Sequence, residues 1–283
     1  MILLDYSQTV IGSFMAVSRG KPVVEEDLLR HTILNSIRMF RNKFIKDYGE
    51  MVICCDDKDN WRKEIFPEYK ANRRKNREND ITDWKTLFEL LHEMREDLTK
   101  YFPYKVMHVD SAEADDIIGV LVAERQNRFP SPPTLILSSD KDFIQLQKYP
   151  NVDQYSPLTK KFLNTDNPDN FLREHILRGD TSDGVPNFLS SDDTFVTDKR
   201  QTPLSKKKVS VWSELEPDVF CQGEQLRNFR RNEMLIDFTK IPEWLQINID
   251  DEYVNQPEVG RSRLFNYFIK YKLKNLMEHI NEF

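Results

Sequence analysis

The chain is 283 residues long, the size of one large domain or two unequal ones. It is 39% hydrophobic and 31% charged, and its 18 Phe, 10 Tyr and 4 Trp are enough to build a core, which excludes the disordered class. The net charge of −6 argues by itself against a nucleic-acid partner, no apolar run approaches the roughly 20 residues of a membrane span, and three Cys without CxxC spacing and five His without an HxxxH pair speak against a disulfide scaffold or a zinc site.

Four short apolar runs punctuate the first 150 residues: Ile2–Leu4, Met51–Cys55, Val106–Val109 and Thr134–Leu137. Each has the length of a buried strand. Asp5 interrupts the apolar stretch that a signal peptide would need, so a reduced, cytoplasmic setting is expected. Between the first two runs, Leu29, Ile33, Ile37, Phe40 and Phe44 recur at helical spacing within residues 25–48, and Gly49 supplies the stop. Between the second and third, Trp84, Leu87, Phe88, Leu91, Met94 and Leu98 recur in the same way. Residues 72–82 are so polar that a mobile loop or arch is expected there. Before the fourth run, Ser111 is placed to cap a helix carrying Ile117, Ile118, Leu121 and Val122. Strand–helix–strand alternation predicts an α/β fold, a mostly parallel central sheet flanked by helices on both faces. After Tyr149 the alternation fades. The expected organisation is one unit over 1–178 and a smaller, mainly helical one over 179–283, without internal repeats.

Every apolar run ends in acid. Leu4 leads to Asp5, Cys55 to Asp56 and Asp57, Val109 to Glu113, Asp115 and Asp116, and Leu137 to Asp140 and Asp142. Asp180 and Asp183 follow in GDTSDG. A single acid after a strand is an ordinary turn or helix-cap residue, and acids in a first helical turn complement the helix dipole. Four strand ends in succession are different, because parallel strands share one edge and sites in open α/β sheets form outside the carboxyl ends. Two carboxylates about 5 Å apart repel by about 3 kcal/mol at an effective dielectric of 20. Such a cluster persists only with shared protons or bound cations, and oxygen ligands without His or Cys select Mg2+ or Mn2+. Glu113 and Asp115 converge only if Glu113 sits at or before the first helical turn, because residues two apart on a helix point nearly opposite ways.

The basic residues are clustered too. Residues 62–77 hold seven Lys or Arg against two Glu, and 199–208 and 261–274 hold five each with no acid. An acidic spot ringed by basic segments suits a polyanion handled through metal ions, although a single charged run is ordinarily a solvated face. Arg62 and Lys70 are placed to steady a phosphate, and Trp61 and Tyr69 to stack on bases.

The phrases LLDYS at Leu3, the strand end at Asp56, PEYKANR at Pro67, SAEADD at Ser111, SSDKDF at Ser138 and GDTSDGVP at Gly179 resemble, in order, those of the structure-specific 5′-nucleases. That family comprises the flap endonucleases and the 5′-exonuclease domains of bacterial DNA polymerases. RNEMLIDFTKIP and HINEF resemble its T-even phage branch. The resemblance implies a PIN-like 5′-nuclease core over 1–178 with a basic arch at about 62–100, and a DNA-binding part over 179–283. It implies two Mg2+ ions, with Mn2+ a substitute. Asp5, Asp56, Glu113 and Asp115 match the first metal position. Asp140, Asp142 and Asp183 match the second, Asp140 being near enough to serve both, while Asp116 and Asp180 match positions that act through water. Arg62 and Lys70 match basic residues that contact the scissile phosphate, and Asp115 and Asp140 are the acids expected to carry catalysis. Arg73 and Arg74 extend the basic arch. The implied substrates are forked, flapped or nicked DNA and RNA/DNA duplexes. The implied role is removal of RNA primers and adjacent DNA on the lagging strand, by a monomer working in the infected bacterial cytoplasm with a phage single-strand-binding protein and a sliding clamp.

One departure stands out. The family follows GDxSD with a glycine-rich hairpin that grips duplex phosphates, whereas here Gly184-Val185-Pro186-Asn187 leads into LSSDDTF. Lys206, Lys207 and Lys208 are the expected substitutes, and Asp57, without a family match, is expected at the surface. Two other enzymes fit less well. A dehalogenase-like phosphatase needs an Asp where Ser7 stands, and a Walker nucleotide hydrolase needs Lys and Ser or Thr where Val185 and Pro186 stand. A non-catalytic DNA-junction binder on the same fold remains an alternative.

Overall fold

The computed structural model describes residues 1–128, 130–197 and 199–283. The four expected strands form as β1 (Ile2–Asp5), β2 (Met51–Cys54), β3 (Lys105–Met107) and β4 (Thr134–Leu137), and two more follow, β5 (Val152–Ser156) and β6 (Lys161–Leu163). The sheet order is β3-β2-β1-β4-β5-β6, parallel throughout except for the antiparallel β5–β6 edge. The chain builds outward from β1 to one side through β2 and β3, then crosses to the other side through β4 and β5. The switch point therefore falls at β1, where such sheets open a crevice.

Helices cover both faces. On one face Ile2, Leu4 and Ile53 pack with α1 (Tyr6–Ser18), α2 (Glu26–Tyr48) and α5 (Trp84–Tyr101). On the other, Leu3, Val52, Cys54 and Ile136 pack with α6 (Ala114–Gln126). This alternation along β1 is the period-2 burial of a two-sided sheet. The short α3 (Arg62–Ile65) and the basic α4 (Ala71–Glu78) lie between β2 and α5. The segment expected to be a mobile loop is thus largely helical, although α4 buries none of its side chains.

α7 (Pro168–Arg178) closes the first unit, and the C-terminal part comprises α8 (Lys206–Trp212), α9 (Pro217–Phe220), α10 (Glu224–Ile236), α11 (Glu243–Asn255), α12 (Leu264–Lys270) and α13 (Lys274–Met277). It builds no core of its own among the described residues. Leu264, Phe268, Leu276 and Phe283 join the α2–α5 core, and Phe238, Ile241, Leu245 and Ile249 join the α6 core. Phe188, Val209 and Phe229 share a third core with Phe66, Tyr69 and Ile176. All three cores include residues from both sides of residue 179.

Three local expectations change. Ser111 does not cap α6; it takes a left-handed φ of 65°, and Glu113 is the N-cap, its backbone N–H donating to Asp116 Oδ2 at 2.9 Å. α1 was not expected, because its buried face includes Thr9 and Ser13 and so masks the apolar period. β5 was not expected either, because the polar Gln154 is one of its inward residues, fully buried and donating to the carbonyls of Ser138 and Asp140. No helix among the described residues is long and apolar enough to cross a membrane.

Candidate active site

The shared carboxyl edge of the sheet gathers the acids. Asp5 ends β1 and caps α1, accepting from Gln8 N at 3.1 Å and from Ser138 Oγ at 3.0 Å. Asp56 follows β2 and accepts from Ala114 N at 2.8 Å, so it caps the opening turn of α6 from another strand. Glu113 stands just before that turn, which is where it must stand to converge with Asp115. Asp140 follows β4 and accepts from Asp142 N at 3.0 Å. Asp5, Asp56, Glu113, Asp115, Asp140 and Asp183 all line one cleft of about 900 Å³, together with Lys70, Arg73 and Arg74. Asp142 and Asp180 sit outside its lining, in an adjoining group with His175, whose ligand atoms all lie within 4.8 Å of one another.

Electrostatics divides these acids in two. Burial, with Asp56 and Asp140 nearby, pushes the Asp5 carboxyl up to about 7. Burial, with Asp142, Asp183 and Asp180 nearby, pushes Asp140 up to about 6. Asp115 is driven well above the carboxylate range by burial and by Asp140, and it has no hydrogen bond or ion pair to any described residue. Glu113 goes the other way. Burial would raise it, but Lys70 and Arg62 outweigh that and hold it at about 2. Lys70 pairs with Glu113 and lies 3.4 Å from Asp183, to which Arg73 also pairs. The Tyr69 hydroxyl lies 2.9 Å from Glu113 Oε2 and 2.7 Å from Asp183 Oδ2, and its single proton serves one of them at a time.

Four expected roles change here. Arg62 is 3% exposed and faces inward: it grips Asp116 through two nitrogens at 2.8 and 3.0 Å, reaches Glu113 at 3.2 Å and donates to the Leu235 carbonyl at 2.8 Å. It ties α3, α6 and α10 together, with Nε and both Nη nitrogens turned to protein acceptors. Asp116 is fully buried and its Oδ2 accepts from Arg62, Trp61 Nε1 at 3.1 Å and Glu113 N, so in this structure it faces Arg62 and the turn before α6 rather than the cleft. Trp61 and Tyr69 are buried and do not offer faces to bases. Asp57 is half-buried at the cleft lining rather than free at the surface: it accepts from Ser111 N at 3.0 Å and sits 3.2 Å from His108 Nε2, pinning the turn after β3. Lys206, Lys207 and Lys208 are exposed in the first turn of α8, outside the cleft lining. Lysines there oppose the helix dipole, so local stability does not explain them.

His175 was missed. It stands in the last turn of α7 with Nε2 2.9 Å from Asp142 Oδ1. Gly179, at φ 65°, then turns the chain so that Asp180 returns beside it. A side chain at Gly179 would run into the carbonyls of Val185 and Pro186. A lone His in a helix offers no sequence pattern to mark it.

The comparisons agree with this geometry. The family described as 5′-3′ exonuclease, N-terminal resolvase-like domain, matches residues 1–174, and the one described as T4 RNase H, C terminal, matches 168–283. The chain is 34% identical to Ribonuclease H of Enterobacteria phage T4, over 99% of this chain and 95% of that protein. It is 30% identical to a 5′-3′ exonuclease of Buchnera aphidicola over about half of each (54% and 53%). The phage T5 5′-exonuclease solved with zinc shares the fold at TM-score 0.63 and 14% identity, over 90% of this chain and 98% of that one. The T5 flap endonuclease solved with DNA and metal ions does so at TM-score 0.62 and 14% identity, over 89% and 97%. With the acids of four parallel strand ends gathered on a resolvase-like sheet and the T4 RNase H C-terminal part behind it, the chain belongs to the 5′-3′ exonuclease family of nucleases.

Proposed function

We propose that the protein hydrolyses phosphodiesters at 5′ ends of DNA and RNA/DNA duplexes and at 5′ flaps or forks, and that it removes RNA primers and adjacent DNA during lagging-strand synthesis. The observation that carries this is the single cleft in which Asp5, Asp56, Glu113, Asp115, Asp140 and Asp183 face Lys70 and Arg73. The donor set fits divalent cations: carboxylates pushed toward protonation by burial and by neighbouring acids, with Asp115 unpaired among the described residues, gain most from a hard cation.

Asp5, Asp56, Glu113 and Asp115 would hold a first Mg2+, and Asp140, Asp142, Asp180 and Asp183 a second, with Mn2+ able to replace it. Bound there, two ions would supply an activated water and neutralise charge on the leaving oxygen. Lys70 adds a point charge for the scissile phosphate, and Arg73 and Arg74 on α4 line the path of the strand. Burial of Arg62 removes it from phosphate contact and makes it the strut that fixes Glu113. The exposed lysines of α8 give a second basic surface for duplex, in place of the missing glycine hairpin. A phage single-strand-binding protein and a sliding clamp are the partners the family likeness suggests.

The test is cleavage of 5′-labelled forked and nicked duplexes, with an RNA or a DNA 5′ segment, with and without Mg2+. Magnesium-dependent short products from the 5′ end carry the proposal. Binding without cleavage at any divalent ion would favour the junction-binding alternative.

A further inference from the structure

The second metal position has a feature that carboxylates alone do not give it. His175 Nε2 is shielded from solvent and has no well-aligned hydrogen bond, although Asp142 Oδ1 lies 2.9 Å away. The ring is held in place by stacking on Phe171, one turn earlier on α7, with centroids 6.0 Å apart and planes 28° apart. One nitrogen of His175 and one oxygen each of Asp142 and Asp180 lie within 4.8 Å of one another. Ligands at about 2.0–2.3 Å from one ion are at most about 4.6 Å apart, so the group is close to a coordination sphere as it stands.

We infer that His175 is a nitrogen ligand at the second metal position, with Asp142 and Asp180, and that it tilts that position from Mg2+ toward Mn2+, Co2+ or Zn2+. This rests on the metal-dependent reading above. Imidazole is a good ligand for the later divalent metals and a poor one for Mg2+, whereas an all-oxygen sphere suits Mg2+ and Mn2+ alike. The first position, built from Asp5, Asp56, Glu113 and Asp115, has no nitrogen donor, so the two positions differ in preference within one cleft.

The experiment uses the full chain stripped of metal, titrated with Mn2+ without nucleic acid and read by pulsed electron paramagnetic resonance. The expected result is modulation from a directly bound imidazole ¹⁴N in the wild type. It should be lost in His175→Phe, which keeps the stack on Phe171, and retained in His92→Phe, whose imidazole lines the neighbouring cleft. The Mn2+ dissociation constant should rise about tenfold in His175→Phe and that for Mg2+ by about threefold at most. If His175→Phe does not fold, His175→Asn serves, and ¹⁵N-histidine labelling of the wild type identifies the imidazole signal without a variant. Mn2+ bound with no nitrogen modulation, or modulation that survives in both His175 variants, overturns the inference while leaving the metal-dependent reading standing. No Mn2+ binding at all overturns both.

Discussion

Asp140→Asn should make the metal-free protein more stable, which is unusual for a substitution at an active site. The folded-state pKa of Asp140 is pushed up to about 6 from 3.8 by burial and by Asp142, Asp183 and Asp180. Between those values the native state binds more protons than the unfolded state, so stability falls as pH rises through the window from about 4 to 6 and the penalty is complete above it. Carried from 3.8 up to about 6, the carboxyl costs about 3 kcal/mol at pH 8 and about half that at pH 5, where it is mostly protonated in the native state. The amide removes the charge and keeps an oxygen for the Asp142 N–H. For a chain of this size about 3 kcal/mol corresponds to a rise in Tm of about 6 °C.

The assay is thermal unfolding in EDTA at pH 5 and pH 8, then in Mg2+. In EDTA the variant should melt above the wild type, by more at pH 8 than at pH 5. In Mg2+ the order should close or reverse, because a ligand at 100 times its Kd stabilises the wild type by about 2.7 kcal/mol and the variant has lost one of its oxygens. A variant that melts at or below the wild type in EDTA at pH 8, or a gap that does not change with pH, would refute the claim that these acids repel one another in the fold.

Other substitutions in the cleft should behave differently. Arg62→Ala should lower stability by about 3–5 kcal/mol, because it strands buried Asp116 and Glu113, and denaturant unfolding checks it. Glu113→Gln should also destabilise in EDTA, opposite in sign to Asp140→Asn, since Lys70 and Arg62 lose their partner. Asp115→Asn should abolish Mg2+-supported cleavage and leave fork affinity within about twofold, because Asp115 supports no other contact; unchanged turnover would count against its role. Lys70→Ala should lower turnover more than affinity, and fork binding by the wild type should weaken steeply with salt; a flat response would contradict phosphate tracking by α4 and α8.

The parts of the molecule legible in the sequence are those that repeat a local rule. Buried strands announce themselves as short apolar runs, and α2 and α5 as apolar residues at 3–4 spacing, so the first four strands of the chain could be placed. The acid at each strand end was legible because parallel strands must share an edge. The illegible parts are those where polar side chains are buried against partners far away in the chain. Gln154 hides β5 by bonding to carbonyls near β4. Arg62 looks like a phosphate contact because a basic residue beside an acidic edge ordinarily is one; only the fold reveals Asp116, 54 residues on, accepting from both of its terminal nitrogens. His175 reaches Asp142 through the docking of α7 on the turn after β4, which no spacing encodes.

The cleft therefore contains acids of two kinds, and the difference explains how a fold tolerates them. Glu113 and Asp116 are paired with Arg62, Lys70 and Tyr69, and Asp183 with Lys70, Arg73 and Tyr69; together they lock α3, α4 and α6 to one another. Asp5 is buried and Asp115 and Asp140 are half-buried, none of the three has an ion pair to a described residue, and burial together with neighbouring carboxylates raises them all. The first group fixes the position of the second, and the second destabilises the fold by a few kcal/mol that a domain of about 5–15 kcal/mol can carry. A divalent ion relieves that repulsion only where several of these oxygens converge, so the strain that costs the free protein stability is also what draws the cation to the strand ends. At Glu113 and Asp183 an arriving cation would exchange with Lys70 and Arg73, which frees those side chains toward a phosphate at little net change of charge. The unpaired trio is thus where chemistry is expected to be most sensitive to a single amide, and the paired set is where folding is.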